Sequence, residues 1–422
     1  MPRFTSTLIA AAVCACTAAA ASAATGTPDA GQSHSGVDLA GIDHSVKPGD
    51  DFFKYANGHW LKTAEIPADR SSIGTFYKIY KRTRGRIADI IQHAADADPA
   101  PGSEARKIAD YYAAYMNTQA IEKHGLAPLE SKLDAINSID SRDDLAMVLG
   151  HRLRQDVDPV NATDFHTDHL FGLFVAQGLT DPSHNIAYLL QGGLTLPSRD
   201  YYLSDNETMA GYRDKYKDYI EAILKQAGIE DASAAAKRVF DLEMKIAQAH
   251  ASLVESQNVH HANNLWPLDD FAQKAPGLNW DAYFKAAGLA DQKHIDVWQP
   301  EAISKLSKLV ANAPLESWKA LLTFHTLDRH ASLLPKKFAN LAFEFHGHTL
   351  SGVPQQEARW KRGVEATSHA LGFAVGKLYS DKYFPASAKQ KAEQMVDNLI
   401  AAFGSRIGTL EWMTPATREK AK

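Results

Sequence analysis

The feature that most narrows the folds open to this chain is the spacing of its apolar residues, which keeps to three- and four-residue steps over most of its length. The spacing predicts helices over 104–117 (Ile108, Tyr111, Tyr112, Tyr115), 126–138 (Leu129, Leu133, Ile136) and 143–155 (Leu145, Val148, Leu149, Leu153). It predicts two more over 209–227 and 232–252, where Val239, Leu242, Met244, Ile246 and Ala247 mark a buried stripe. Helices follow at 303–313, 317–327, 356–379 and 386–410; the last repeats Met395, Val396, Leu399, Ile400, Phe403, Ile407 and Leu410. One island breaks the pattern. Residues 169–175 and 185–191 are short β-prone runs on either side of Thr180-Asp181-Pro182-Ser183, a hairpin with a longer loop than the tightest kind. The fold class expected is therefore mainly α, a multi-helix domain with a small β-hairpin, and no repeat of fixed period is present.

Composition excludes several classes. Hydrophobic residues at 45% and charged ones at 23% are globular values, so a disordered or collagen-like chain is ruled out. The net charge of −5 lacks the basic footprint of a nucleic-acid binder. A helix expected over 74–95 sets Phe76, Ile79, Tyr80, Ile87, Ile90 and Ile91 on one side. Lys78, Lys81, Arg82, Arg84 and Arg86 lie on the other, which reads as a solvated face.

The amino terminus reads as a secretory signal: Arg3 ahead of the apolar run 8–15, then Ala21-Ser22-Ala23 as a cleavage site. No segment is long and uncharged enough to span a bilayer as a helix. Export to a bacterial periplasm or envelope follows, with a lipid anchor through Cys16 as the alternative. Both cysteines, Cys14 and Cys16, lie in the signal, so a chain cleaved after Ala23 holds no thiol. The domain plan expected is a signal at 1–23, a flexible Ala/Gly/Ser-rich leader at 24–45, a segment at 46–95 and a helical domain at 96–422. At the far end Thr414 caps a helix opened by Pro415 that the chain leaves after about two turns, which reads as a cut.

The stretch Asp50-Asp51-Phe52-Phe53-Lys54-Tyr55-Ala56-Asn57-Gly58-His59-Trp60-Leu61 starts with a helix cap and reaches a candidate stop at Gly58. A turn at Ile66-Pro67-Ala68-Asp69-Arg70-Ser71-Ser72 comes next. With Leu196-Pro197-Ser198-Arg199-Asp200-Tyr201-Tyr202, Gly352-Val353-Pro354-Gln355-Gln356-Glu357-Ala358-Arg359-Trp360-Lys361-Arg362 and Leu410-Glu411-Trp412-Met413, these stretches resemble, in order, the neprilysin and endothelin-converting-enzyme family of zinc metallopeptidases. The resemblance implies a largely helical, two-lobed build in which 96–422 is the lid, truncated at its end, and 46–95 packs on a catalytic lobe. It implies zinc-dependent cleavage of small peptides. In that family the metal is held by H-E-x-x-H and a later carboxylate, with the first Glu of the motif activating water.

No His in the chain is followed by Glu, so that motif is absent from these residues and no catalytic residue is assigned. Animal members place an arginine for the substrate carboxylate at the position matching Ser72, and Arg70 stands two residues away. Arg70 and Ser72 are accordingly the candidate substrate-binding residues, and endopeptidase action is the more natural expectation. Asp164, His166, Asp168 and His169, the pair His260-His261, and His346 with His348 were weighed as metal ligands, and the chain is expected to hold no metal of its own. Two functions remain: the lid-bearing region of an exported zinc metalloendopeptidase, or a stand-alone helical module that binds peptides without cleaving them. In either, Phe52, Phe53, Tyr55 and Trp60 are expected to be partly uncovered, so that Phe52, Phe53 and Trp60 can promote self-association.

Overall fold

The computed structural model describes residues 39–96, 98–161 and 164–422; the expected signal, Cys14, Cys16 and most of the leader lie outside the described residues. The chain forms two compact units, one ending at Glu65 and the other spanning Ile66–Lys422.

In the first, α1 (Phe52–Thr63) is capped by Asp51, whose side chain accepts from the Lys54 N–H at 2.9 Å. The helix does not stop at Gly58. It runs one turn further because that glycine faces inward: a Cβ there would lie 2.6 Å from Asp43 Cβ. Asp43 in turn accepts from Lys62 Nζ at 2.6 Å, and this hydrogen bond, with those from Ser45, holds its carboxyl far below the usual range. Phe52 and Phe53 are 69% and 62% exposed, while Tyr55 and Trp60 are half-buried.

The second unit is mainly α, as the periodicity predicts. Its first helices are α2 (Thr75–Gln92) and α3 (Glu104–Met116). The helical body continues with α4 (Glu130–Asn137), α5 (Arg142–Arg152), α6 (Glu207–Gln226), α7 (Ala232–Ala249), α8 (Pro300–Asn312) and α9 (Leu315–His330). α7 packs on α6, α8 and α9, and its Val239, Leu242 and Ile246 enter the main core with Trp318 and Phe324 of α9. Each such side chain contributes roughly 1.5–3 kcal/mol on full burial.

One buried carboxyl group is threaded through that core. Glu243 of α7 is fully buried and accepts from Thr195 Oγ1 at 2.9 Å, Tyr202 OH at 3.0 Å, Tyr216 OH at 2.5 Å and His325 Nε2 at 2.8 Å. The Leu196–Tyr202 stretch singled out in the sequence is thus a structural knot: the Tyr202 hydroxyl also accepts from the Leu196 N–H at 3.1 Å.

The hairpin forms as expected, with β1 (Phe171–Gln177) antiparallel to β2 (Asn185–Gln191) and Phe171 opposite Gln191. It is half of a four-stranded sheet ordered β1-β2-β4-β3, completed by β3 (Leu265–Pro267) and β4 (His294–Val297). Both added strands are too short to show a period of two, and Pro267 sits on the edge strand, where its missing N–H costs least. β2 is buried on both faces, Leu189 in the main core and Tyr188 and Leu190 against Trp298, which explains its unbroken apolar run.

A second, smaller core joins distant parts of the sequence. Ala88 and Ile91 of α2 and Ile108 and Ala109 of α3 meet Val364 of α10 (Arg359–Ala370) and Val375 of α11 (Gly372–Tyr383). The single helix expected over 356–379 is therefore two, broken at Leu371 (φ −126°, ψ 35°) so that both apolar faces reach the same patch. Only the second half of α2 is covered. Ile91 is buried, whereas Phe76 is 87% exposed and Ile79 and Tyr80 are also exposed, contrary to the continuous apolar face expected. The chain ends with α12 (Ala386–Gly408) and α13 (Pro415–Ala421); Thr414 caps α13, accepting from the Thr417 N–H at 3.2 Å.

Candidate functional site

Two of the stretches that mark this sequence, far apart in the chain, meet in space. The turn after α1 closes with the Arg70 N–H on the Pro67 carbonyl at 2.9 Å, and the Gln355 N–H reaches across to the Ala68 carbonyl at 3.0 Å. That pairing sets Glu357, just before α10, against α2. Arg84 grips it through both guanidinium ends, Nη1 to Oε1 and Nη2 to Oε2 at 2.6 Å each, and Arg70 Nη2 donates to the same Oε1. A parallel pair, Lys361 to Asp69 at 2.5 Å, closes the junction beside it. Burial opposes ionisation of Glu357, but the Arg84 hydrogen bonds and the Arg84 and Arg70 charges outweigh it and hold its carboxyl below the usual range.

Arg70 lines two cavities. The smaller, about 270 Å³, has an aromatic wall of Tyr77, Tyr80 and Trp360; the guanidinium carbon of Arg70 lies 5.6 Å and 5.3 Å from the Tyr77 and Tyr80 ring centres. The larger, about 450 Å³, continues to Phe343, His346 and Asp328. Asp328 accepts from His346 Nε2 at 2.8 Å and from the Tyr219 hydroxyl; burial raises its pKa, yet these bonds prevail and keep it ionised. Ser72 is exposed and lines neither cavity.

Arg70 is therefore part of a built cluster, although much of its hydrogen-bonding capacity is taken by Glu357. Sequence reasoning placed Arg84 and Arg86 on a solvated face; both are half-buried, Arg84 on Glu357 and Arg86 with its guanidinium 4.7 Å from the Tyr383 ring centre. No local signal marked this, because Arg359, Lys361 and Arg362 stand beside Glu357 in sequence as nearer basic partners than Arg84 and Arg70.

The candidate metal ligands do not converge as the sequence grouped them. Asp164 and His166 are exposed, with the Asp164 carboxylate accepting the His166 backbone N–H at 2.9 Å; His260 and His261 are exposed as well. His346 and His348 lie on a π-helix, Phe343–Leu350, and diverge, one to Asp328 and the other to Glu344. Asp168 and His169 do come together, with Asp156, into one group whose ligand atoms lie within 4.8 Å of each other.

The model of the amino-terminal part of peptidase family M13 matches residues 48–422. The chain belongs to peptidase family M13. This M13 chain is 27% identical to neprilysin-3 of Drosophila melanogaster over 401 residues, 91% of the chain and 50% of that protein. It is 26% identical to bovine (Bos taurus) endothelin-converting enzyme 1 over 438 residues, 98% of the chain and 56% of the relative. Among solved structures it superposes on a zinc metalloprotease of Mycobacterium tuberculosis, in complex with an inhibitor, with a TM-score of 0.80 and 32% identity. The match covers 91% of the chain and 57% of that protein. The M13 chain thus spans about half the length of the curated relatives it matches.

Zinc, which the family implies, does not fit the Asp156–Asp168–His169 group. The Arg329 guanidinium already fills the space between these donors, with Nη1 2.6 Å from Asp168 Oδ1 and 2.9 Å from His169 Nε2. His169 Nδ1 is engaged by Asp156 at 2.8 Å. A fixed cation at that point repels a second one.

Proposed function

We propose that residues 48–422 are the lid-bearing amino-terminal region of an exported zinc metalloendopeptidase that acts on small peptides, and that the zinc-holding residues lie in a segment other than the described one. The observation carrying this reading is the match of the family model through residue 422, joined to a TM-score of 0.80 on a zinc metalloprotease. The apolar stripe of α12 supports it: Met395, Val396, Leu399, Ile400 and Phe403 are all exposed, and a lid region needs a face for its catalytic lobe. An endopeptidase preference is supported by Arg70, whose ion pair with Glu357 leaves it poorly placed to clamp a terminal carboxylate, and by Ser72 at the position where animal relatives carry arginine. Export rests on the signal-like residues 1–23 and is compatible with the lack, among the described residues, of any helix long and apolar enough to cross a membrane. Self-association through Phe52, Phe53 and Trp60 belongs to the same reading, supported by the exposure of the two phenylalanines.

The test pairs two assays. The purified chain, supplied with zinc and a quenched fluorescent peptide, is expected to show no chelator-sensitive turnover. Joined to the H-E-x-x-H-bearing carboxy-terminal half of an M13 peptidase, it is expected to gain such turnover. Cleavage by the chain alone, or a folded fusion that stays inactive, overturns the proposal.

A further inference from the structure

Away from the Arg70 junction, α4, α5 and the end of α9 enclose a cavity of about 390 Å³ whose charge is unusual. Lys132, Arg152, Arg154 and Arg329 all line it, with His169 and His330 between them. Cations packed this closely repel one another and are normally each matched by a carboxylate. Here only Arg329 is in direct ion pairs, with Asp168 at 2.6 Å and more loosely with Asp156 at 3.7 Å, and Arg152 feels the Asp168 charge at longer range. Among the described residues, Lys132, Arg152 and Arg154 form no ion pair.

Their partners are neutral. Arg152 donates to Thr326 Oγ1 at 2.8 Å, and Arg154 donates to the His151 and Leu153 carbonyls at 2.8 Å and 2.7 Å. Lys132 Nζ lies 3.0 Å from His330 Nε2, while His330 Nδ1 lies 2.8 Å from the Thr326 carbonyl. That carbonyl can only accept, so Nδ1 carries the proton and Nε2 accepts from the ammonium: His330 is a neutral imidazole. Partial desolvation at the rim for Lys132 and burial for His330 come first, and the surrounding positive charges next, in holding both below their ordinary pKa values.

We propose that this cavity binds an oxyanion of the phosphate-monoester class. A dianionic phosphoryl group offers enough acceptor positions for two guanidinium forks and an ammonium at once, and its charge offsets the three unmatched cations. Ala135, Ile136 and Val148 make one wall apolar, and the volume falls in the roughly 300–1,000 Å³ range of ligand pockets, which leaves room for an organic group on the phosphate. The proposal is independent of peptide cleavage: it uses no residue of the Arg70 junction and needs no zinc.

The same phosphoryl chemistry could come from a soluble metabolite or a lipid headgroup, and the experiment separates them. The full chain is titrated, at ionic strength held constant with chloride, against inorganic phosphate, glycerol 3-phosphate, and phosphatidylcholine vesicles with and without phosphatidic acid. Saturable binding of glycerol 3-phosphate with a rise in melting temperature is expected, and Lys132→Ala and Arg154→Ala should each weaken it by about tenfold. Both side chains are exposed at the rim, so the variants should fold. Without ligand a small fall in melting temperature is expected from the lost hydrogen bonds of Lys132 to His330 and of Arg154 to the His151 and Leu153 carbonyls; the deciding readout is the further rise that ligand produces, which a merely structural role would leave unchanged in the variants. Binding confined to the phosphatidic acid vesicles, and lost in the same variants, would assign the phosphoryl group to a lipid. Absence of binding in all arms, or binding untouched by both substitutions, overturns the proposal.

Discussion

α7 and α12 are helices of similar length, 18 and 23 residues, and both carry an apolar stripe at helical spacing. α7 buries nine of its residues; α12 buries none. Its Ile400 and Phe403 stand 64% and 66% exposed, with Met395, Val396 and Leu399 beside them. Periodicity therefore reports that a stretch can be an amphipathic helix, not that anything lies against it. In the body of the fold α6, α8 and α9 supply that covering surface for α7, and the stripe becomes core. At the other end of the chain the same pattern is left facing outward.

The most demanding test replaces an acidic residue by leucine in each helix. Glu243→Leu in α7 strands Tyr202, Tyr216, Thr195 and His325 with no acceptor, and should cost about 3–5 kcal/mol by chemical denaturation. Asp397→Leu, on the exposed α12, should stay within about 0.5 kcal/mol. A small effect at Glu243 would mean that the network does not hold α7 in its place.

Next in size is the junction that joins α2 to α10. Glu357→Ala leaves Arg70 half-buried and unmatched and Arg84 with only the longer Glu365 pair at 3.8 Å, with an expected loss of about 2–3 kcal/mol, measured by the same denaturation. Ser72→Ala, four residues from the Phe76 end of α2 that remains exposed, should be silent.

A third prediction concerns pH. His250, at the end of α7, donates from Nε2 to the Gly192 carbonyl at 2.9 Å, and burial holds its pKa down to about 4, against 6.5 when exposed. The folded state thus keeps it neutral while the unfolded chain takes up a proton. Stability from this group is complete above pH 6.5 and is lost as pH falls toward 4. Between pH 7 and pH 5 the contribution of His250 to the loss should be about 2 kcal/mol. His250→Gln should remove that contribution and leave only the balance between His330, whose pKa burial also lowers, and the opposing Asp296. Asp156 and Asp328 have lowered carboxyl pKa values, so they contribute only at more acid pH; Asp296, whose carboxyl burial raises to about 6, instead gains stability as pH falls through the same window and offsets part of the loss.

These effects also divide what was legible in the sequence from what was not. The helices of the body, the hairpin and the Thr414 cap were readable because each depends on neighbours within a few residues. The packing of Arg70 on Glu357 was not, since the sequence singled out Arg70 only as a candidate for binding a substrate carboxylate. Glu357 lies 287 residues from Arg70 in sequence, and no local pattern announces such a pair. β3 and β4 were hidden by their shortness, and Gly58 misled because a glycine that looks like a helix stop is instead a gap for Asp43. The cationic cavity was invisible for the same reason as Glu357: Lys132, Arg152 and Arg329 come from three separate helices or helix ends.

The smallest expected effect bears most directly on the comparison. Phe403→Ser and Ile400→Ser, on the exposed stripe of α12, should each change folding stability by no more than about 0.5 kcal/mol, because those side chains leave little buried surface behind them. The same substitutions should lower the fluorescence of a hydrophobic dye bound to the chain, since they shrink a contiguous apolar patch. A core-sized loss at Phe403, about 3 kcal/mol or more, would show that the stripe is covered in solution after all. Its dependence on protein concentration then decides by what: a loss that grows on concentration means another copy of the chain, whereas one that does not means a segment of the same chain.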